Sequence, residues 1–218
     1  MKLRDHEVWG FVGMRGAGKS RYVKARLVRP ADRVVVWDPQ AEYAESCDLD
    51  EVSAVEFANE APELLGAERC KIAVVPDFID TAELAPLFAE FLAQLKTRGD
   101  ATKGTDAGPC LIVVEETALL RPRADGNLVA LATQSRHWRM PLVLVSQRAT
   151  MQPPGARGQW SHLVSFLQTE PGDLDALAER IGDAKARRVA ELPRHKFVEW
   201  DESESFKQAA AAAEEQPS

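Results

Sequence analysis

Two kinds of hydrophobic pattern alternate along the chain. Short continuous apolar runs rich in β-branched and aromatic residues read as strands buried on both faces: EVWGFVG (7–13), RVVVWD (33–38), KIAVVP (71–76), CLIVVEE (110–116), PLVLVSQ (141–147), HLVSFLQ (162–168) and KFVEWD (196–201). Between most of them lie amphipathic stretches. Strand, helix, strand in this order predicts an α/β fold, a parallel-sheet core with helices on both faces.

The clearest helix runs from Asp80 to about Arg98, where Leu84, Leu87, Phe88, Phe91, Leu92 and Leu95 recur at helical spacing and Asp80 with Glu83 fits a capping box. Other helices are expected after a glycine turn through about Val28, where Pro30 ends the pattern, and over 48–66, 126–137 and 173–182. TRGDATKGTDAGP (97–109) is polar, glycine-rich and without period, the pattern of an exposed loop. ESESFKQAAAAAEEQPS carries charge and little to bury, so residues 202–218 are expected as a disordered or frayed tail after a single domain over 1–201.

At 218 residues and 45% apolar composition the chain can close one sizeable core. No apolar run approaches the roughly 18 residues of a membrane span, and no signal-peptide core follows the first methionine. A soluble, cytoplasmic protein is expected. Cys47, Cys70 and Cys110 lie far apart without CxxC pairing, which suggests buried, reduced thiols. The net charge of −7 excludes a surface that is basic all over, yet Thr117 to His162 carries six arginines against Asp125 alone, +5 within a chain whose remainder is −12.

Candidate chemistry begins at GFVGMRGAGKSRYV (10–23). Gly13, Gly16, Gly18, Lys19 and Ser20 satisfy GxxxxGK[ST] directly after a strand and before a helix, the context that a phosphate loop requires. Glycines let successive N–H groups point at phosphate oxygens, and the helix adds the positive end of its dipole. Gly13, Arg15, Gly16, Ala17, Gly18, Lys19, Ser20 and Arg21 form the candidate ATP site, with Lys19 on the terminal phosphates and Ser20 on Mg2+.

Hydrolysis needs a second, acidic site. LIVVEE ends a buried strand with Glu115, a candidate magnesium ligand, and Glu116, a candidate general base. Gln147, closing the next strand, is placed to touch the γ-phosphate or orient water. That order favours an additional-strand (RecA-like) P-loop NTPase over a small-molecule kinase.

These residues resemble the FtsK-HerA superfamily of ring-forming, DNA-pumping ATPases. The match comprises GMRGAGKS, WDPQAEY, LIVVEE, SRHWRMPLVLVSQR, FLQTEPGDLDAL and ELPRHKFVEW, and spans Val8 to Trp200. One departure is Glu115, where the family commonly has aspartate. The first strand begins about seven residues in, without the N-terminal barrel of HerA-type helicases, so the chain looks like the minimal genome-packaging ATPases of tailless, internal-membrane-containing viruses and phages.

The resemblance implies a homo-oligomeric ring, a hexamer, acting on double-stranded DNA and docked to a capsid or membrane protein, in the host cytoplasm or at the virion vertex. It also implies an arginine finger reaching the neighbouring subunit's nucleotide. Arg136, Arg139 and Arg148 are the candidates, Arg136 favoured and Arg148 next. Arg121, Arg123 and Lys103 are candidate DNA contacts, with pairing to acidic surface on the next subunit as the alternative. Aromatic residues do not interleave with these cations, which disfavours single-strand binding. Two other functions stay open: a HerA-type cellular or plasmid translocase working with a nuclease or relaxase, and an ATP-binding switch or assembly module that moves nothing.

Overall fold

The computed structural model describes residues 4, 6–77, 80–103, 105 and 108–203. Eight strands, β1 (Val8–Val12), β2 (Arg33–Trp37), β3 (Asp50–Ser53), β4 (Cys70–Val75), β5 (Leu111–Val114), β6 (Leu142–Ser146), β7 (His162–Phe166) and β8 (Phe197–Asp201), form one sheet. Their order is β3-β4-β2-β5-β6-β1-β7-β8. All neighbours pair in parallel except β8, which runs antiparallel to β7. β6 therefore lies between the glycine-loop strand β1 and the double-acid strand β5, the additional-strand arrangement that the sequence predicts.

The helices are α1 (Lys19–Val23), continued by a π-helical turn over Lys24–Val28, then α2 (Ala44–Cys47), α3 (Ala54–Gly66), α4 (Thr81–Thr102), α5 (Asp125–Gln134), α6 (Pro154–Arg157), α7 (Pro171–Ile181) and α8 (Asp183–Ala190). Alternate strand residues feed two cores. Val35, Trp37, Ile72, Ile112 and Leu144 pack with α3, α4 and α5, while Phe11, Val34, Val36, Val113 and Val145 pack on the other face with α1 and its π turn. This two-sided burial explains why these parallel strands read as unbroken apolar runs. No described helix is long and apolar enough to cross a membrane, and all three cysteines are free and buried.

Two sequence expectations need correction. Residues 50–53, read as the start of a helix over 48–66, form the edge strand β3. Only Val52 of its four residues is buried, so it has no apolar run to announce it, and its pairing with β4 decides its conformation. The helix then starts at Ala54, with the Ser53 side chain accepting from Glu56 N.

The segment read as loop from residue 97 is helical as far as Thr102. Gly99 is the reason: a Cβ there would lie 2.3 Å from Trp138 Cγ, so the glycine that looks like a helix breaker is a seat for an indole. Packing of Trp138 offsets the roughly 1 kcal/mol that glycine costs inside a helix. Of the expected tail, Glu202 accepts from Arg180 at 2.9 Å, and residues 204–218 lie outside the described residues.

Candidate nucleotide site

Parallel strands deliver their C-terminal ends to one edge of a sheet, and here four of those exits carry candidate site residues. β1 leads into Gly13, β2 into Asp38, β5 into Glu115 and Glu116, and β6 into Gln147. Asp38, Glu115, Glu116 and Gln147 join Arg15, Gly16, Gly18, Lys19, Ser20 and Arg21 in lining a cleft of about 520 Å³. The structure thus brings together most of the predicted ATP set with both acids and the glutamine; Gly13 and Ala17 do not line this cleft, and Ala17 is buried.

The loop itself needs glycine. Gly16 and Gly18 have φ of 73° and 108°, left-handed backbone in which a Cβ is strained. Lys19 is only 7% exposed, and its Nζ donates to Gly13 O at 2.6 Å and Met14 O at 3.3 Å. Burial lowers its pKa, opposed by the charges of Glu116 and Glu115.

Glu115 is also buried. Burial pushes its carboxyl up to about 6, against hydrogen bonds from the Tyr43 hydroxyl and from Ser20 and against the charge of Lys19. Tyr43 Oη donates to Glu115 Oε1. Glu116 takes a left-handed conformation, φ 48° and ψ 51°, which ends the strand run, and its Oε1 accepts from Gln147 Nε2 at 3.0 Å. Non-glycine residues adopt this conformation uncommonly. Behind Gln147, the buried Gln168 donates to its carbonyl at 2.9 Å.

Two parts of the site escaped the sequence reading. The first is the WDPQAEY exit, which enters there only through family resemblance. Asp38, 1% exposed and raised in pKa by burial, accepts from Tyr43 N at 2.8 Å, so the 38–43 turn sets the Tyr43 side chain under Glu115. Lys24, at the head of the π turn, donates to Glu42 O at 2.6 Å and sits 4.5 Å from the Tyr43 ring centroid. The second part is His195, from the loop before β8, which entered only within the ELPRHKFVEW segment of the resemblance and lines the cleft although it lies 177 positions from Gly18. Neither had a spacing signal, because both reach the site through chain segments brought together only by the sheet.

The predicted arginines separate into three environments. Arg148, beside Gln147, is engaged within its own chain: its Nε donates to Asp173 Oδ2 at 2.8 Å, and Asp173, fully buried, also takes the Thr150 hydroxyl at 2.7 Å. Arg121 is likewise held, by Asp125 at 2.9 Å and by the Thr150 carbonyl. Arg123 is exposed on the cleft side of the sheet, between the β5 exit and α5. Arg136 and Lys103 are exposed at the opposite edge, ahead of β6 and β5 respectively. Arg139 lies there too, its guanidinium donating to Thr105 O at 3.3 Å.

The donor set fits a nucleotide triphosphate with magnesium. Left-handed glycines open the loop, the buried Lys19 side chain lies against it, and the Ser20 hydroxyl and the Glu115 carboxylate line the same cleft, two hard oxygen donors of the kind magnesium takes.

No protein-family model matches the chain, and no curated protein matches its sequence. Solved structures do share its architecture. The genome packaging NTPase B204 from Sulfolobus turreted icosahedral virus 2, in complex with AMP, superposes with a TM-score of 0.69 at 17% identity, over 93% of this chain and 96% of that one. VirB4 of Thermoanaerobacter pseudethanolicus does so at 0.67 and 13% identity, over 93% and 89%. The cytoplasmic domain of the type VII secretion ATPase EccC from Thermomonospora curvata gives 0.53 at 14% identity, over 91% of this chain and 25% of that one. With the sheet order and the glycine loop, these likenesses define the fold as that of a P-loop NTPase. In particular, it is the fold shared by the packaging NTPase B204 and VirB4, along nearly the whole length of each.

Proposed function

We propose that the protein is a magnesium-dependent ATPase of the FtsK-HerA type that assembles as a ring, a hexamer, and translocates double-stranded DNA to package a viral genome. The observation that carries the reading is the convergence of Lys19, Ser20, Glu115, Glu116 and Gln147 on one cleft.

In that reading the loop N–H groups and Lys19 hold the β- and γ-phosphates, and Ser20 with Glu115 holds Mg2+, which supplies charge neutralisation when bound. Glu116 accepts a proton from water attacking the γ-phosphorus, while the bond to the β,γ-bridging oxygen breaks and ADP leaves. Gln147 orients that water and Glu116 together, since its amide already bonds the carboxylate.

Arg136 serves as the finger on the neighbouring subunit's γ-phosphate. Its exposure supports this role, and the Asp173 bond of Arg148 disfavours the alternative. Arg123 and Lys103 contact DNA phosphates. Arg121, the third candidate, connects the 117–125 segment to the exit of β6 through the Thr150 carbonyl, and so passes a change at Gln147 toward Arg123. A capsid or membrane protein at the virion vertex is the docking partner.

The comparable fold likeness to VirB4 is as compatible with a second reading, a HerA-type cellular or plasmid translocase working with a nuclease or relaxase. Phosphate release measured with and without duplex DNA, on a sample of known oligomeric mass, tests the proposal. Stimulation by duplexes of unrelated sequence is expected; slow turnover indifferent to DNA indicates an ATP switch instead. Neighbouring capsid genes favour packaging, whereas a neighbouring nuclease gene favours the second reading.

A further inference from the structure

A second recess, about 390 Å³, opens beside the phosphate cleft and is lined by Tyr22, Ala25, Arg26, Phe166 and Phe197. The two cavities share Gly18, Arg21 and His195, so a molecule leaving the loop along the start of α1 passes His195 to enter the recess. Its aromatic wall is assembled from three distant segments: Tyr22 meets Phe197 edge-on at 5.2 Å, and Phe166 meets Phe197 at 5.5 Å. Phe197 is nevertheless 39% exposed, one of few large apolar side chains so open.

His195 holds a left-handed conformation, φ 66°, outside any glycine, and its Nδ1 lies 3.3 Å from Ala17 O. Arg194 beside it reaches within 3.4 Å of the point where a Cβ on Gly16 would stand. The turn before β8 is thus laid across the phosphate loop, at the cost of an uncommon backbone conformation.

We propose that His195 is a nucleotide-contacting residue at the neck between the two cavities, with the aromatic recess taking the sugar and base, so that the last strand of the sheet sets nucleotide affinity. This rests on the reading of the loop as a phosphate site. An aromatic recess continuous with an anion cradle suits a planar base attached to phosphates, because stacking on Phe197 buries its open face. Arg26 at the recess wall adds a guanidinium that can lie on the base or bond its edge.

The experiment compares two ligands that differ only in the part assigned to the recess: ATP and inorganic tripolyphosphate, each titrated calorimetrically against the full chain. His195→Asn, which tolerates the left-handed backbone, and Phe197→Ser are each expected to weaken ATP about tenfold and to leave tripolyphosphate within about twofold. Lys19→Ala is expected to weaken both ligands. Unchanged ATP affinity in both neck variants, with Lys19→Ala impaired, overturns the proposal and leaves the phosphate site standing. Equal losses for ATP and tripolyphosphate in the neck variants overturn it as well, since the neck then acts only on the loop. Wild-type protein that binds neither ligand overturns the phosphate site itself.

Discussion

The amide of Gln147 and the carboxylate of Glu116 are bonded at 3.0 Å across the exits of two adjacent strands. Glu116 reaches this position because it leaves β5 in a left-handed turn, and Gln147 because Gln168 fixes its carbonyl from below. A neutral amide at 147 bonds that carboxylate without adding charge beside it, whereas a second acid there would place two like charges side by side. Gln147→Ala should therefore lower kcat about 10- to 100-fold with little change in the Kd for ATP, and Gln147→Glu should shift the acid limb of the pH–rate profile upward. Steady-state phosphate release across pH, with equilibrium ATP binding alongside, checks both.

Glu115 gives a pH dependence of stability with a defined sign. Its folded pKa, about 6, lies above the ordinary carboxylate value, so the native state holds this proton more tightly than the unfolded chain. Its contribution is greatest below about pH 4.5, falls as pH rises toward 6 and is constant above, a loss of about 2 kcal/mol. Asp38, also raised by burial, adds to the same slope. In magnesium-free buffer Glu115→Gln should be more stable than the wild type at pH 7.5 and no more stable at pH 4.5, read from urea midpoints. Greater relative stability at pH 4.5 contradicts the assignment.

Asp173 is a fully buried acid with Arg148 Nε, Thr150 N and Thr150 Oγ1 around it. Asp173→Ala leaves those donors without their acceptor and should cost about 2–4 kcal/mol. The milder Asp173→Asn keeps the shape and some of the bonds. Both should also lower ATP turnover beyond their effect on folding, because Thr150 lies three residues from Gln147. Denaturant unfolding together with turnover on folded protein separates the two effects.

Gly99 has no room for a side chain against Trp138. Gly99→Ala, a substitution that normally strengthens a helix, should instead destabilise by about 1–3 kcal/mol. Pairing it with Trp138→Leu should recover part of the loss, and a double-mutant cycle measures that coupling.

Legibility divided along physical lines. The loop, the two acids and Gln147 were readable because each sits at the end of a continuous apolar run, and a parallel sheet necessarily gathers such ends at one edge. β3 was not, since an edge strand with Val52 as its buried residue carries no periodic signal. Gly99 misled because the chemistry that breaks a helix in solvent also makes space for Trp138. Tyr43 and His195 were silent for another reason: their contacts to Glu115 and Ala17 cross 72 and 178 positions of chain, and no local pattern encodes such a distance. The arginines were visible as a cluster, yet their division between internal partners and open surface depends on Asp173, Asp125 and the Thr150 carbonyl.

The most direct test of the account is phosphate release by Glu116→Gln at saturating ATP and magnesium, set beside its ATP affinity. Near-wild-type binding is expected, with turnover reduced about 100- to 10,000-fold, the range expected for loss of a general base. Turnover at the wild-type rate in that variant would contradict it.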